Sequence, residues 1–259
     1  MGMMRRSRVL LLAASVLGLL ACALLLRWQY AVPILVYHAV GHESTLVSRA
    51  DFDRQMGFLR RHHYNVITFA ELVEDLRAKR KVPYGTVVIT FDDALDDNIL
   101  DVFPVLLKYR LPGTIFAPIA FIGTPHYLTW EDVRKLDASG LVTFGSHGWK
   151  HRPLPELQGK ELWISLAGSK KVLEEHLHKP VLVYAYPFGK VNSAARKQLA
   201  EAGYRGAATT AISLFDPRED FFCLGRIGVG RRDANMLYFW IQLSGFNKWF
   251  SYLDEWFPA

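Results

Sequence analysis

The chain has 259 residues, of which 51% are hydrophobic and 22% are charged, and its formal net charge is +6. This composition excludes a disordered chain, a collagen and a coiled coil, and the length suits one barrel-sized domain. Four arginines precede residue 32 without any acidic residue, which leaves a charge of +2 for the rest of the chain and gives no reason to expect a nucleic-acid partner.

The N-terminal segment predicts a membrane anchor over residues 1–30. Val9–Leu26 is an uncharged run that would span roughly 27 Å as a helix, close to the ~30 Å hydrocarbon thickness of a bilayer. Arginines before this run favour a cytoplasmic N-terminus. We therefore expect a single-pass protein of the cytoplasmic membrane, with residues 31–259 on the periplasmic or extracellular side. Cleavage at Ala21-Cys22-Ala23 and lipidation of Cys22 are the alternatives that the sequence leaves open.

Beyond residue 31, short β-branched runs alternate with stretches of helical periodicity. The predicted strands are Ile34–Tyr37, Val66–Thr68, Thr86–Phe91, Gly113–Ala117, Val142–Ser146, Val181–Tyr186, Gly206–Thr209 and Arg226–Val229. The predicted helices are Phe52–His62, Phe69–Lys79, Asn98–Tyr109, Trp130–Ser139, Lys160–Leu177 and Ser193–Ala202. Several strands are apolar on both faces, which is typical of a parallel sheet covered by helices. The alternation predicts an α/β fold, a distorted or incomplete (β/α) barrel.

Reactive side chains follow four of these strands at their C-terminal ends. His38 follows the first strand, Asp92 and Asp93 follow the third, His147 follows the fifth, and a Tyr-Pro-Phe-Gly run follows the sixth. In a β/α barrel the C-terminal strand ends share one face, and that face holds the active site. We therefore expect these residues, which are far apart in sequence, to converge.

The spacing of His147 and His151 suits two ligands of one metal ion. His38 and His42 have the same spacing, so the interval by itself also fits ordinary polar loop residues. The position of the first pair directly after a buried strand favours the metal-binding interpretation.

Asp92 and Asp93 add two carboxylates at a neighbouring strand end. A solvated acidic turn is the alternative interpretation, because Asp96-Asp97 follows closely. Two adjacent carboxylates do not both ionise cheaply without a cation to offset them. A metal bound by two histidines and one aspartate, with the other aspartate as a base, accounts for the pair. Three protein ligands leave positions open for water and substrate, as in catalytic sites.

Three motifs in order make the chain resemble the polysaccharide deacetylases of the NodB-homology type, carbohydrate esterase family 4, over roughly residues 33–229. Thr90-Phe91-Asp92-Asp93 is similar to the first motif of that family. Ser146-His147-Gly148-Trp149-Lys150-His151 resembles the second, and Tyr184-Ala185-Tyr186-Pro187-Phe188-Gly189 resembles the third. The resemblance implies a NodB-type barrel and a deacetylase activity.

The resemblance also implies roles for individual residues. Asp92 would be the catalytic base, and the backbone N–H of Phe188, beside Pro187 in the groove, would bind the oxyanion. The implied ligand set for one divalent transition metal is Asp93, His147 and His151. Zinc is the expected metal, and cobalt and nickel also suit these ligands.

The chain departs from the family pattern at three places. Gly148 stands where serine or threonine is common, Ala185 stands where an arginine usually orients the base, and no histidine follows His178. The run Ile34–His38 resembles the first strand of the poly-N-acetylglucosamine deacetylase branch, whose barrel is circularly permuted. That similarity implies His38 as the general acid and leaves Arg226 as the candidate orienting arginine. His42 and His126 are weaker candidates for the acid.

Together these features predict a metal-dependent hydrolase that removes N-acetyl groups from amino sugars of an envelope or extracellular glycan. An O-acetyl esterase and an inactive glycan-binding protein with the same fold are the alternatives. Trp149 is a candidate for stacking on a sugar ring or for covering the metal loop. The aromatic C-terminal segment, residues 233–259, predicts helices that pack on the barrel or rest at the membrane interface.

Overall fold

The computed structural model describes residues 32–41, 47–210 and 220–244, and among these residues the strands form one sheet. The strands are β1 (Ile34–Tyr37), β2 (Asn65–Ile67), β3 (Thr86–Phe91), β4 (Gly113–Ala117), β5 (Val142–Ser146), β6 (Val183–Ala185), β7 (Gly206–Thr209), β8 (Leu224–Gly225) and β9 (Ile227–Gly228). Eight of them follow the order β8-β7-β6-β5-β4-β3-β1-β9, β2 pairs with β3 beside this path, and every pairing is parallel. The predicted α/β barrel is confirmed as a nearly closed barrel of parallel strands.

One short segment joins the first and last strands of this order. β8 pairs with β7 through Leu224, and β9 pairs with β1 through Ile227. A single residue, Arg226, therefore links the two strands at opposite ends of the order. The prediction of a single strand over 226–229 found β9 and missed β8. β8 has only two residues, one of them glycine, and unlike β9 it has no β-branched residue to mark it in the sequence.

The described helices are α1 (Arg49–Arg61), α2 (Phe69–Arg77), α3 (Phe103–Tyr109), α4 (Trp130–Ala138), α5 (Gly159–Trp163), α6 (Ser169–Leu177), α7 (Ser193–Glu201) and α8 (Met236–Gln242). Polar caps begin several of them: the side chains of Ser48, Thr68, Thr129 and Asn192 each accept a hydrogen bond from a first-turn amide. A π-helical turn, Ile164–Gly168, joins α5 to α6. The predicted helix Lys160–Leu177 is therefore continuous but contains one wider turn.

Side chains alternate between the two faces of the sheet, and each face has its own apolar cluster. The inner cluster holds residues of β1, β3, β4, β6, β7 and β8 together with Phe69, Leu72 and Val73 of α2. Gly145 of β5 belongs to the same inner face, where a Cβ would lie 2.5 Å from ring carbons of Phe116. The absence of a side chain at this position lets the Phe116 ring fill the barrel interior.

No helix within the described ranges is long and apolar enough to cross a membrane. The predicted anchor, residues 1–30, lies outside those ranges, as do His42 and residues 245–259 of the aromatic C-terminal segment. The part of that segment that the structure describes forms α8, whose Phe239 is buried while Leu237 and Trp240 are exposed.

Candidate active site

Arg226 and Asp92 form a buried bidentate ion pair at the end of β3. Arg226 Nη1 donates to Asp92 Oδ1 at 2.6 Å, and Nη2 donates to Oδ2 at 2.6 Å. Nη1 also donates to Thr90 Oγ1 at 3.2 Å, and the guanidinium carbon lies 5.5 Å from the centre of the Phe116 ring. Paired N–H donors on a planar guanidinium fix both the position and the orientation of a carboxylate.

This ion pair decides the ionisation of Asp92. Burial alone would raise the pKa of Asp92, but attraction to Arg226, with smaller contributions from His147 and His38, lowers that pKa to about 2. The carboxylate is therefore ionised throughout the neutral range, inside a barrel where an unpaired charge would be costly.

The side chains of Asp93, His147 and His151 converge beside this pair. His151 Nε2 lies 3.2 Å from Asp93 Oδ1 and 3.1 Å from His147 Nε2, and His147 Nε2 lies 3.8 Å from Asp93 Oδ1. With metal–ligand bonds of ~2.1 Å, donor atoms around one tetrahedral ion are roughly 3.4 Å apart. The donor chemistry and the separations fit one divalent transition metal.

The environment of His147 keeps its imidazole in the form that binds metals. Its Nδ1 lies 2.8 Å from the carbonyl oxygen of Ala185. A carbonyl only accepts, so Nδ1 donates here and Nε2 presents its lone pair towards Asp93 and His151. Burial lowers the pKa of His147 although Asp92 and Asp93 oppose the shift. The ring is therefore neutral and oriented before any ion binds.

The backbone of the metal loop, defined as residues 147–151, is held by serine hydroxyls. Gly148 N donates to Ser146 Oγ at 3.1 Å, and Trp149 N donates to Ser165 Oγ at 3.4 Å. Gly148 has φ = +81°, and a Cβ there would lie 2.9 Å from the hydroxyl oxygens of both Ser165 and Tyr184. The space that a serine or threonine would need at position 148 is already occupied, which explains that departure from the family pattern.

Ser165 was not among the residues that the sequence singled out. It belongs to the π-helical turn between α5 and α6, and such turns are frequent at functional sites. Helical periodicity alone does not reveal a π-helical turn, so the sequence carried no usable signal for this residue.

The loop after β4, residues 118–128, connects the two ligand-bearing loops. Ile119 N donates to the carbonyl oxygen of Gly148 at 3.1 Å, on the side of the metal loop. Leu128 N donates to the carbonyl oxygen of Ala94 at 2.9 Å, directly after Asp93. This loop therefore fixes the distance between the aspartate and the two histidines.

His38 is exposed and directly follows β1. The parallel register pairs Val36 with Thr90, and Asp92 N donates to the carbonyl oxygen of Tyr37 at 2.9 Å. Two residues further along each strand, His38 and Asp92 lie on the same inner face of the sheet. The structure thus brings His38 to the mouth of the barrel beside the ion pair.

The predicted groove residues differ in their exposure. Phe188 is 59% exposed, has φ = +57°, and places its ring centre 4.7 Å from that of His151. Pro187 is buried. Trp149 is half-buried, and a ring carbon of its indole lies 3.6 Å from where a Cβ of Gly168 would stand. Phe188 therefore presents an aromatic face beside the ligand cluster, while Trp149 packs against the helix behind it.

Comparisons with known proteins point to one family. A family model for polysaccharide deacetylase matches residues 79–207. The putative polysaccharide deacetylase YxkH of Bacillus subtilis is 31% identical over 199 residues, which cover 76% of this chain and 71% of the relative. The poly-beta-1,6-N-acetyl-D-glucosamine N-deacetylase of Staphylococcus aureus is 25% identical over 195 residues, covering 70% and 67% of the two chains.

The fold has also been observed in solved structures. The Streptococcus pyogenes deacetylase PplD in complex with acetate superimposes with a TM-score of 0.73 at 22% identity, covering 80% of this chain and 96% of that one. This similarity shows a shared fold, and the NodB-type barrel expected from the sequence is confirmed. On the strength of the family match and the Bacillus relative, the chain belongs to the polysaccharide deacetylase family of enzymes.

Proposed function

We propose that this enzyme removes N-acetyl groups from amino sugars of an envelope or extracellular glycan and releases acetate. The observation that carries the proposal is the ionised Asp92, held by Arg226 beside the Asp93, His147 and His151 cluster. The Staphylococcus relative, named for N-deacetylation of poly-beta-1,6-N-acetyl-D-glucosamine, supports an amide rather than an ester substrate.

Asp93, His147 and His151 would hold one divalent metal ion, with zinc as the first choice and cobalt and nickel also suited. When bound, such an ion supplies Lewis-acid polarisation of a carbonyl oxygen and raises the acidity of water. The neutral, preoriented imidazole of His147 and the short distance between the two Nε2 atoms support this assignment.

Asp92 would accept the proton of the attacking water. Arg226 contributes by aligning both carboxylate oxygens and by keeping them ionised before the attack. A carboxylate with such a low pKa is a weak base, so the transfer requires a water of raised acidity. Arg226 is a positioning residue in this scheme, because its guanidinium acts through Asp92.

His38 would give a proton to the departing amine, which is a very poor leaving group without one. Imidazole suits this step because its ordinary pKa of about 6.5 is close to neutral pH. The backbone N–H of Phe188 would donate to the developing oxyanion. Phe188 and Pro187 would line the groove, and Trp149 would support the metal loop or contact a sugar ring.

We further propose that the catalytic domain works outside the cytoplasmic membrane, attached through residues 1–30. The uncharged run Val9–Leu26 and the preceding arginines support this topology. N-terminal sequencing of the protein from native membranes tests it: a chain that begins at Ala23 or later contradicts an uncleaved anchor.

The decisive experiment measures acetate release by the full chain, loaded with zinc, from poly-N-acetylglucosamine oligomers and from an O-acetylated glycan. We expect acetate with a matching amount of free amine from the first substrate, and none with Asp92→Asn. Release from the O-acetylated glycan alone would identify an esterase, and no release from any acetylated glycan would indicate a glycan-binding protein.

A further inference from the structure

Asp97 is a buried carboxylate that lies four residues beyond Asp93. Its Oδ2 accepts a hydrogen bond from the backbone amide of Val40 at 2.6 Å, and its Oδ1 accepts one from the side-chain amide of Asn98 at 2.6 Å. Asp97 and Val40 are both almost completely buried. The loss of such a hydrogen bond inside the protein leaves a backbone amide unsatisfied, which is costly.

This bond joins two loops that the proposed chemistry uses together. Val40 lies two residues after His38, in the segment that leaves β1, whereas Asp97 lies in the loop that carries Asp92 and Asp93. The strands β1 and β3 are already paired, and this bond adds a link between the segments that follow them. It acts together with the pairing of Val40 with Val47 to hold the segment that follows His38.

We propose that Asp97 is a positioning residue that places His38 for proton donation to the leaving amine. The inference rests on the proposed function, because it assumes that His38 is the general acid. Asp97 itself touches neither the substrate nor the predicted metal ligands in this scheme. Its carboxylate oxygen holds the Val40 amide at 2.6 Å, and its burial keeps water from competing for that amide.

The test exploits the dependence of general-acid catalysis on the leaving group. An amine departs only with a proton, whereas the phenolate of 4-nitrophenyl acetate departs without one. The zinc-loaded full chain and its variants are assayed on an N-acetylglucosamine oligomer and on 4-nitrophenyl acetate. For Asp97→Ala we expect kcat on the oligomer to fall about 10- to 100-fold. This is at or below the lower end of the ~10²- to 10⁴-fold loss that follows complete removal of a general acid. The KM of this variant, its zinc content and its rate on 4-nitrophenyl acetate should change less than about twofold. The substitution leaves the base, the metal ligands and the oxyanion donor in place.

Two further variants control for a merely structural effect. Asp97→Asn keeps one oxygen for the Val40 amide and should recover most of the rate on the oligomer. Asp233→Ala is the matched control: Asp233 is also buried and accepts a backbone hydrogen bond, from Gly230 at 2.8 Å, and its other carboxylate oxygen accepts one from the side chain of Gln242 at 3.1 Å. Asp233→Ala should lower the two rates equally or not at all. If Asp97→Ala does not fold, Asp97→Ser is the variant expected to show the selective loss, and Asp97→Asn remains the variant expected to recover the rate.

The outcomes separate this inference from the proposed function. If His38→Ala loses rate on the oligomer selectively and Asp97→Ala loses both rates equally, or neither, Asp97 does not position His38 and the inference is wrong. If His38→Ala lowers the rates on the oligomer and on 4-nitrophenyl acetate equally, or lowers neither, His38 is not the general acid. The role proposed for His38 and this inference are then both wrong. Selective loss in both variants, with recovery in Asp97→Asn, supports the proposal.

Discussion

Arg226 reaches Asp92 across 134 positions of sequence, from the single residue that separates β8 from β9. In chain order it comes after all three motifs, and its side chain enters the barrel on the same inner face as Leu224. Ala185, in the third motif, leaves that role open and instead offers its backbone carbonyl to His147. The segment that closes the barrel therefore also supplies the cation that faces the proposed base.

Replacing Arg226 tests how much this pairing contributes. Arg226→Lys keeps a charge but loses the bidentate geometry, so we expect a fall in kcat of about 10- to 100-fold with zinc still bound. Arg226→Ala leaves Asp92 as an unpaired buried charge and should reduce the free energy of unfolding by about 3–5 kcal/mol. Urea unfolding and steady-state kinetics measure the two effects.

Arg196 supplies the matched control for that experiment. It pairs with Asp220 at 2.5 Å, but its side chain is 38% exposed. Arg196→Ala should therefore cost no more than about 1 kcal/mol. Equal destabilisation by the two alanine variants would show that the buried pair has no special importance.

Asp92 should also give the metal-free protein a specific dependence of stability on pH. The folded-state pKa of about 2 lies below the ordinary value of 3.8, so the ionised carboxylate stabilises the fold above about pH 4. That contribution is lost as the pH falls towards 2. Urea unfolding of wild type and Asp92→Asn at several pH values should give stability curves that differ in slope between pH 4 and 2. Parallel curves in that interval would contradict the lowered pKa.

Neutralising Asp92 and neutralising Asp93 should affect different properties of the protein: the first turnover, the second zinc binding. Asp93→Asn, His147→Ala and His151→Ala are expected to weaken zinc binding at least 10-fold, because each removes or neutralises one ligand. Asp92→Asn should keep one equivalent of zinc and lose turnover. Elemental analysis and calorimetric titration measure these outcomes. Zinc loss from Asp92→Asn with retention in Asp93→Asn would mean that their roles are reversed.

The glycine of the metal loop should not tolerate the residue that is common in the family. Gly148→Ser introduces a side chain at φ = +81° and 2.9 Å from the hydroxyls of Ser165 and Tyr184. We expect a loss of about 1–3 kcal/mol in stability and weaker zinc binding, as strain and overlap displace the loop. Gly140→Ser is the control, because Gly140 has φ = +71° but nothing within 4 Å of its Cβ position. Zinc binding at the wild-type level in Gly148→Ser would show that the loop adapts.

His38→Ala should keep the fold and its zinc while losing about 10²- to 10⁴-fold in turnover of an N-acetylated substrate. His126→Ala is the comparison, since His126 is exposed in the loop after β4 and contributes its backbone carbonyl to Asp96. Retention of turnover by His38→Ala together with its loss in His126→Ala would transfer the acid role to His126.

Local sequence determined much of this protein. Short apolar and β-branched runs predicted Ile34–Tyr37, Thr86–Phe91 and Val142–Ser146 with the bounds that the structure shows, because these strands are buried on both faces. Once those strands are known, the reactive residues at their C-terminal ends must share one face of a parallel barrel. The spacing of His147 and His151, and the adjacency of Asp92 and Asp93, follow from the same short stretches.

Only the tertiary structure decided which distant groups meet. Four contacts join residues between 16 and 134 positions apart: the pairing of β8 with β7, the contact of Arg226 with Asp92, the support of the metal loop by Ser165, and the bond from Val40 to Asp97. None of these contacts has a periodic signal, because each depends on how closely the barrel closes and on which side chains fill its interior. Sequence periodicity reports which face of an element is buried, whereas the identity of the partner across that face is set by packing.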